Sequence, residues 1–427
     1  MKADPMPNPA ITRIDFSTGA AVLYTADPKI KYTFPIVGKD QVPLPPAVIV
    51  DNSARIDAIL ASIADLKATV SHMATSAPAA PAPTGPAPMP ATTSAPPGWT
   101  SLTLSVTDNL RAAIGVAAKG FKLLLTPGVY KQCIHIPAGL DGWTIASTTG
   151  KAKDVVLDGQ GGLTVAQNNT GSGATRLAYG KGVIHAGCVG LLLAVTVTGG
   201  GSNATDGHDG QAGMYWDTGE ANSGAATMTN CVFTNNQNGV FGNTQNSNIN
   251  YVFNTCDFID NSVDGGSHDT YLNGQNNSSA TFNNCLAPGS RFGNNFKTRL
   301  PKVTMQGGSY GTQNANRWIE LAEGGVLDIH GGVYDGNDSG QNVFGNGDEN
   351  TNRGPGNTTW DNSDIYLGNR AADFCNAGTF TGTNLRVHAN PGGNSSIFNS
   401  KGTPLTGLVV TDTAAAPALP ATVAMAA

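Results

Sequence analysis

The chain is poor in charge. Of 427 residues, Lys and Arg supply 24 and Asp and Glu 30, which is 13% charged with a formal net charge of −6. A disordered acidic chain needs high net charge to stay unfolded, so that class is excluded. Basic residues do not outnumber acidic ones, so there is no general field for a phosphate backbone and no nucleic-acid partner is expected. No apolar run approaches the roughly eighteen residues of a membrane span, and none is expected. The opening Met1-Lys2-Ala3-Asp4-Pro5 lacks the apolar stretch of a signal peptide. Six cysteines (Cys133, Cys188, Cys231, Cys256, Cys285 and Cys375) include no C-x-x-C pair, which excludes zinc-ribbon and thioredoxin readings. A chain of this size needs no disulfide frame, so buried free thiols are expected.

Glycine and asparagine fill the gap that charge leaves. The 54 glycines are close to double the usual share, yet they follow no G-X-Y period, so the chain is not collagen-like. Of 39 asparagines, 34 fall between residues 201 and 400.

Composition divides the chain into five parts. Residues 1–52 read as a small β-rich or extended attachment module. Over 53–76, Ile56, Ile59, Ile63, Leu66, Val70 and Met73 recur at spacings of 3-4-3-4-3, a heptad seam. Isoleucine at both core positions of the first heptad favours three strands, so a short trimeric coiled coil is expected; a lone amphipathic helix is the alternative. Residues 77–99 form a Pro/Ala-rich, semi-rigid linker. The body spans 100–412, and 413–427 is a loose tail.

Within the body, Leu110 to Ala118 suits a short helix capped by Asp108. Strands are expected at Phe121–Thr126, Ile134–Ile136, Trp143–Ile145 and Val155–Leu157, with a turn at Pro127–Tyr130. After Gly182 a repeat sets in. Thr229-Asn230-Cys231-Val232-Phe233 aligns with Asn254-Thr255-Cys256-Asp257-Phe258 and with Asn283-Asn284-Cys285, and the slot recurs at Gly308, Gly332, Ser363 and Asn384. A period in the low-to-middle twenties with short β runs and small stacked residues signals a solenoid. The Leu pattern of leucine-rich repeats is absent, which leaves a parallel β-helix. Asn230, Asn254, Asn284 and the three cysteines are expected to stack as ladders inside it.

A second strand follows in each rung, at 238–243, 268–273, 295–299, 317–321 and 342–346. These should stack into one sheet whose alternate side chains face solvent. His268, Tyr271, Lys297, Arg299 and Glu320 then converge on one outer face.

These blocks carry a resemblance. Bacterial right-handed parallel β-helix proteins of the pectate-lyase-like superfamily often read H-N-x-Y-[VIL], then G-H-x-[IVL]-K-S-R, then an acidic strand running into Gly-Gly, then N-x-[IV]-x-x-G-[DE]-E. The chain is similar over 120–400, with His268-Asp269-Thr270-Tyr271-Leu272, Gly293 to Arg299, Glu320 to Gly325, and Asn342 to Glu349. The second His of the pattern is replaced by Asn294 or Asn295. Arg299-Leu300-Pro301 also resembles the R-x-P of pectate lyases, without its following Arg. The order of attachment module, trimerising segment and β-helix resembles phage tailspikes and tail fibres. That resemblance implies an all-β, right-handed parallel β-helix solenoid, preceded by a short coiled coil and a small N-terminal module. It also implies a homotrimer docked to a phage tail or other large assembly, placed on a virion tail or cell surface, and a polysaccharide partner.

Depolymerising an acidic polysaccharide by β-elimination requires neutralising a uronate carboxylate, removing the adjacent carbon-bound proton and protonating the leaving oxygen. Arg299 suits the first task as a bidentate partner. Lys297 suits the second if Arg299 and partial burial lower its pKa. Tyr271 or His268 suits the third. Asp269, Glu320 and Glu323 could orient these groups or hold Ca²⁺, while no cofactor is required by the pattern. Arg317 and Trp216 complete the expected substrate-binding set, Trp216 beside the polar loop Asp206–Gln211. The plainer reading is that Lys297 and Arg299 pair with Glu320 and Asp269 across rungs. Two further functions stay open: a glycoside hydrolase using a carboxylate pair from Asp257, Asp260 and Asp264 or from Glu320 and Glu323, and a non-catalytic glycan-binding or structural fibre.

Overall fold

The computed structural model describes residues 11–15, 20–25, 31–35, 95–159, 182–200, 212–217, 223–243, 247–262, 267–290, 293–311, 317–336, 344–347, 349–368, 374–376, 378–389, 399–400, 403–404 and 409–412. The coiled coil expected over 53–76, most of the linker, the loop Asp206–Gln211, Asp264 and the tail 413–427 lie outside them. The chain divides into two compact units, Met1–Pro83 and Thr84–Ala427. In the first, Ile11–Asp15, Ala20–Thr25 and Lys31–Pro35 pair antiparallel in chain order.

The second unit is all-β and winds as a β-helix-like solenoid of three parallel sheets. One coil shows the plan: Ser223–Thr229 lies in the first sheet, Val232–Thr234 in the second and Asn238–Asn243 in the third, before Asn248–Asn254 returns to the first. Among the described residues, eleven strands stack in the first sheet, eleven in the second and nine in the third. Among the described residues, no helix is long and apolar enough to cross a membrane.

The turn from first to second sheet accounts for some of the asparagine. A single residue in left-handed conformation reverses the chain there: Asn230 (φ 52), Thr255 (52), Asn284 (51), Asn362 (52) and Asn384 (52), with glycine at 307 and 331. Asparagine and glycine tolerate that region best. At all of these but Asn384, the N–H is seen to reach the carbonyl of the next coil, as in Asn230 to Asn254 (2.8 Å), Asn284 to Gln306 (2.7 Å) and Gly331 to Asp361 (2.8 Å). The repeat unit Thr229–Phe233 is therefore split between two strands, and a coil carries three strands where the sequence pointed to two. The expected asparagine ladder changes accordingly. Asn230 and Asn284 are exposed turn residues, while Asn254 stacks with Thr229 and Asn283 on the outer face (3.1 and 2.8 Å).

The cysteines do lie inside. Cys231, Cys256 and Cys285 are free and buried, and their thiols point at the carbonyls of Leu192, Met228 and Phe253 in the preceding coil. The same slot holds Gly308 and Gly332 lower down, because Tyr310 and Tyr334 fill the space instead. A Cβ on Gly308 would come within 2.5 Å of the Tyr310 hydroxyl. At the last repeat the slot is Leu385, one residue beyond the expected Asn384, since Asp364 pairs with Arg386.

Period-two alternation builds the core. Leu123, Ile145, Leu192, Met228, Phe253, Phe282, Met305, Ile329 and Trp360 form one buried column of the first sheet. Phe253 stacks on Phe282 at 4.7 Å and Phe282 on Phe296 at 4.4 Å. Truncating a ring of this kind costs about 3–5 kcal/mol.

Near the start, the helix is shorter than the sequence suggests. It spans Leu110–Ile114, and Asn109 rather than Asp108 caps it by accepting from the Ala112 N–H at 2.9 Å. Ala117–Leu125 is already strand. Gly128–Tyr130, expected as a turn, pairs with Val155–Leu157 and opens the second sheet.

Candidate functional site

The strands expected to stack together form the third sheet, with Thr270–Asn273, Asn294–Thr298, Arg317–Leu321 and Phe344–Asn346 as neighbours. His135, His185, Tyr215, Phe241, Tyr271, Lys297 and Glu320 stand in register down one column. Its first five members meet ring to ring, alternately stacked and edge-on, with centroids 4.8, 5.4, 5.3 and 5.1 Å apart. His185 and Tyr215 are buried, whereas Phe241, Tyr271 and Lys297 are partly open. The rings give way to ions at Lys297.

From there a charged network spreads across neighbouring coils. The Lys297 ammonium lies 2.6 Å from Glu349 and 3.3 Å from Glu320. Arg299 meets Glu349 at 2.9 Å and Glu323 at 3.0 Å, and its Nε donates to the Tyr271 hydroxyl oxygen at 2.9 Å. Arg317 holds Glu320 at 3.0 Å, and Arg353 holds Glu323 at 3.3 Å. Glu320 is nearly buried and also accepts from the Asn294 amide, so three donors share its charge. The expected pairing of Lys297 with Glu320 is present; Asp269 takes no part in it.

His268 is buried beside this network. Its Nδ1 accepts from the Asn294 N–H at 2.9 Å, and its ring meets Tyr271 edge-on at 5.5 Å. Burial, reinforced by the Lys297 charge, pushes the imidazole down to about 3, so the ring is neutral with its proton on Nε2. Lys297 goes the other way. Burial pulls it down, but Glu320 and Glu349 outweigh that and raise it above the usual lysine value. The lowered lysine expected from the sequence is thus reversed, because two glutamates surround it besides the one arginine. Burial also opposes the charge on Glu349, yet Lys297 and Arg299 hold it below the usual glutamate range.

Asp269 and Trp216 lie elsewhere. Asp269 sits inside the coil, accepting from the Asn261 amide at 3.0 Å, and Asn261 in turn accepts from Asn236 at 3.0 Å. Burial raises its carboxyl to about 7. Trp216 is core, packed edge-on against Tyr251 at 5.8 Å. Of the acids considered for hydrolysis, Asp257 is on the second sheet and Asp260 in the turn that follows it. Among the described residues, no three His, Cys, Asp or Glu side chains gather as a metal site. Glu320 and Glu323, considered for Ca²⁺, are engaged by arginine and lysine.

Glu349, Arg353 and Asn294 carry weight that the sequence reading did not assign them. Glu349 stood in the last of the four motif blocks, and Asn294 at the departure from the family pattern. Arg353 had no signal beyond being a lone cation in the turn Asn352-Arg353-Gly354-Pro355. It donates to the Gly274 and Arg299 carbonyls at 2.7 and 3.1 Å, and so ties distant coils together.

Comparison with protein-family models, curated proteins and solved structures finds no match to this chain.

Proposed function

We propose that the third-sheet face around Tyr271, Lys297 and Arg299 binds an acidic polysaccharide and cleaves it by β-elimination, in a right-handed β-helix of the pectate-lyase-like kind. The observation that carries this is the Arg299 Nε held 2.9 Å from the Tyr271 hydroxyl oxygen, next to the ammonium of Lys297. Lys297 and Arg299 neutralise the uronate carboxylate, which acidifies the adjacent carbon-bound proton. Tyr271 accepts that proton on its oxygen as its own hydroxyl proton passes to the leaving oxygen; the C–O bond breaks and a C=C bond forms. Arg299 offsets the negative charge that builds on the phenol oxygen during the exchange. Lys297 serves as a carboxylate partner rather than as the base, because its glutamates keep it protonated.

Hydrolysis is the second reading, favoured by one feature. Glu320 and Glu349 lie 3.3 and 2.6 Å from the same ammonium, so two carboxylates share one small patch, as a glycosidase pair requires. Incubating the protein with uronate-containing and neutral bacterial polysaccharides, with and without Ca²⁺, separates these. Ultraviolet absorbance from an unsaturated uronate supports elimination. New reducing ends without it support hydrolysis, and binding without either product supports a glycan-binding fibre.

The tailspike-like layout belongs to the same proposal: residues 53–76 trimerise the chain, and 1–52 dock it to a phage tail or other assembly on a virion or cell surface. The heptad seam supports this reading, and light scattering of the full chain tests it by its mass.

A further inference from the structure

Glu349 sits where an acidic ligand would place its charge. Its two carboxylate oxygens are split between two cations, one 2.6 Å from the Lys297 ammonium and the other 2.9 Å from an Arg299 terminal nitrogen. Each cation keeps another anchor without it: Lys297 has Glu320 at 3.3 Å, and Arg299 has Glu323 at 3.0 Å and the Tyr271 oxygen at 2.9 Å. The cradle therefore survives as a shaped pair of donors when Glu349 leaves. Glu320 and Glu323 cannot play this part, since each is held by a further arginine.

Glu349 is also the member best placed to move. Its side chain is 35% exposed, against 16% for Lys297 and 5% for Glu320. The backbone around it is fixed independently: the amides of Glu349 and Asn350 donate to the Ala322 carbonyl, and Arg353 N–H donates to the Glu323 carbonyl at 2.9 Å. The arginine side chain then clamps this segment to Gly274 and Asn276 at 2.7 and 2.6 Å. Side-chain rotation alone frees the cradle, with no loop opening. Charge argues the same way: four cations (Lys297, Arg299, Arg317 and Arg353) face three glutamates, so removing Glu349 leaves an excess that an incoming anion relieves.

We infer that Lys297 and Arg299 form a carboxylate-binding site occupied at rest by the chain's own Glu349, and that a uronate carboxylate of the ligand displaces it. This rests on the proposed acidic-polysaccharide reading and specifies how the ligand enters. An internal occupant lowers apparent affinity by the fraction of time the cradle is closed, so freeing it should tighten binding.

The test is calorimetric titration of the full chain, as wild type, Glu349→Ala and Glu349→Gln, with D-glucuronate, D-glucose and inorganic sulfate. Both variants should bind glucuronate about tenfold more tightly than wild type, and none should bind glucose. Adding Lys297→Ala to Glu349→Ala should abolish the gain. Unchanged or weaker glucuronate binding in both variants overturns the inference, and so does an equal gain for sulfate, which would mark a general anion site. The underlying reading fails separately. If the variants gain glucuronate affinity but no acidic polymer is bound or cut, the cradle stands and the depolymerase does not. If polymer is cut while neither variant changes glucuronate affinity, the reverse holds.

Discussion

The inside of the first turn and the outside of the third sheet obey different rules. Inside, volume limits the slot at four of the turns: Cys231 and Cys256 are followed two residues later by Phe233 and Phe258, whereas Gly308 and Gly332 are followed by Tyr310 and Tyr334. A smaller residue in the slot is matched by a larger ring beside it, as close packing demands. Outside, the register column runs from His135 through Phe241 to Lys297 and Glu320 with no such constraint, and rings change to ions within one coil step. The backbone tolerates either character there. The chemistry of that column is therefore free to serve a ligand, while the inner slot serves only the fold.

That contrast can be broken from either side. The largest effect is expected for Tyr271→Phe on the outer column, which should cut elimination about 10²–10⁴-fold. Its thermal midpoint should stay close to wild type, since among the described residues the phenol oxygen hydrogen-bonds a partly exposed arginine alone. Gly308→Cys, which copies the slot residue of the upper coils into a tyrosine-filled one, should cost about 3 kcal/mol or more in denaturant unfolding. The added atoms meet Tyr310 and the residue keeps φ 89. Cys256→Ala, a simple deletion in the same slot, should cost only about 1–2 kcal/mol.

The subtlest test concerns His268 and Asp269, neighbours in sequence with opposite pH signatures. Asp269 is raised by burial, so the stability it contributes is full below its unfolded pKa and is lost as pH rises through about 7. His268 is depressed by burial, so its contribution is full above its unfolded pKa and is lost as pH falls toward about 3. Between about pH 4 and pH 6.5 the two slopes oppose each other. Urea midpoints across that window should rise with pH in Asp269→Asn and fall with pH in His268→Asn, with wild type between them.

Much of the fold was legible because a solenoid repeats its signals. The Cys slot, the short β runs and the third-sheet strands all announced themselves through spacing. The break at Asn230 was not legible, since an exposed asparagine looks the same as a buried ladder asparagine until its φ is known. Gly128–Tyr130 read as a turn because Pro127 and Gly128 are turn residues by local preference, and only pairing with Val155–Leu157 overrides that. At the site, Tyr271, Lys297, Arg299 and Glu320 could be brought together from strand offsets alone. Glu349 and Arg353 could not, because they reach the site from the stretch before Gly356–Asp361, where no periodicity fixes direction. For the same reason the sign of the Lys297 shift was missed: the sequence supplied its arginine neighbour but hid its second glutamate.

The most direct measurement is the ultraviolet absorbance of the protein incubated with acidic polysaccharides, run beside Tyr271→Phe. The account predicts rising absorbance from an unsaturated uronate with wild type, and none with a Tyr271→Phe variant that unfolds at the same temperature. Full activity in Tyr271→Phe, or chain cleavage that yields reducing ends without absorbance, would contradict it.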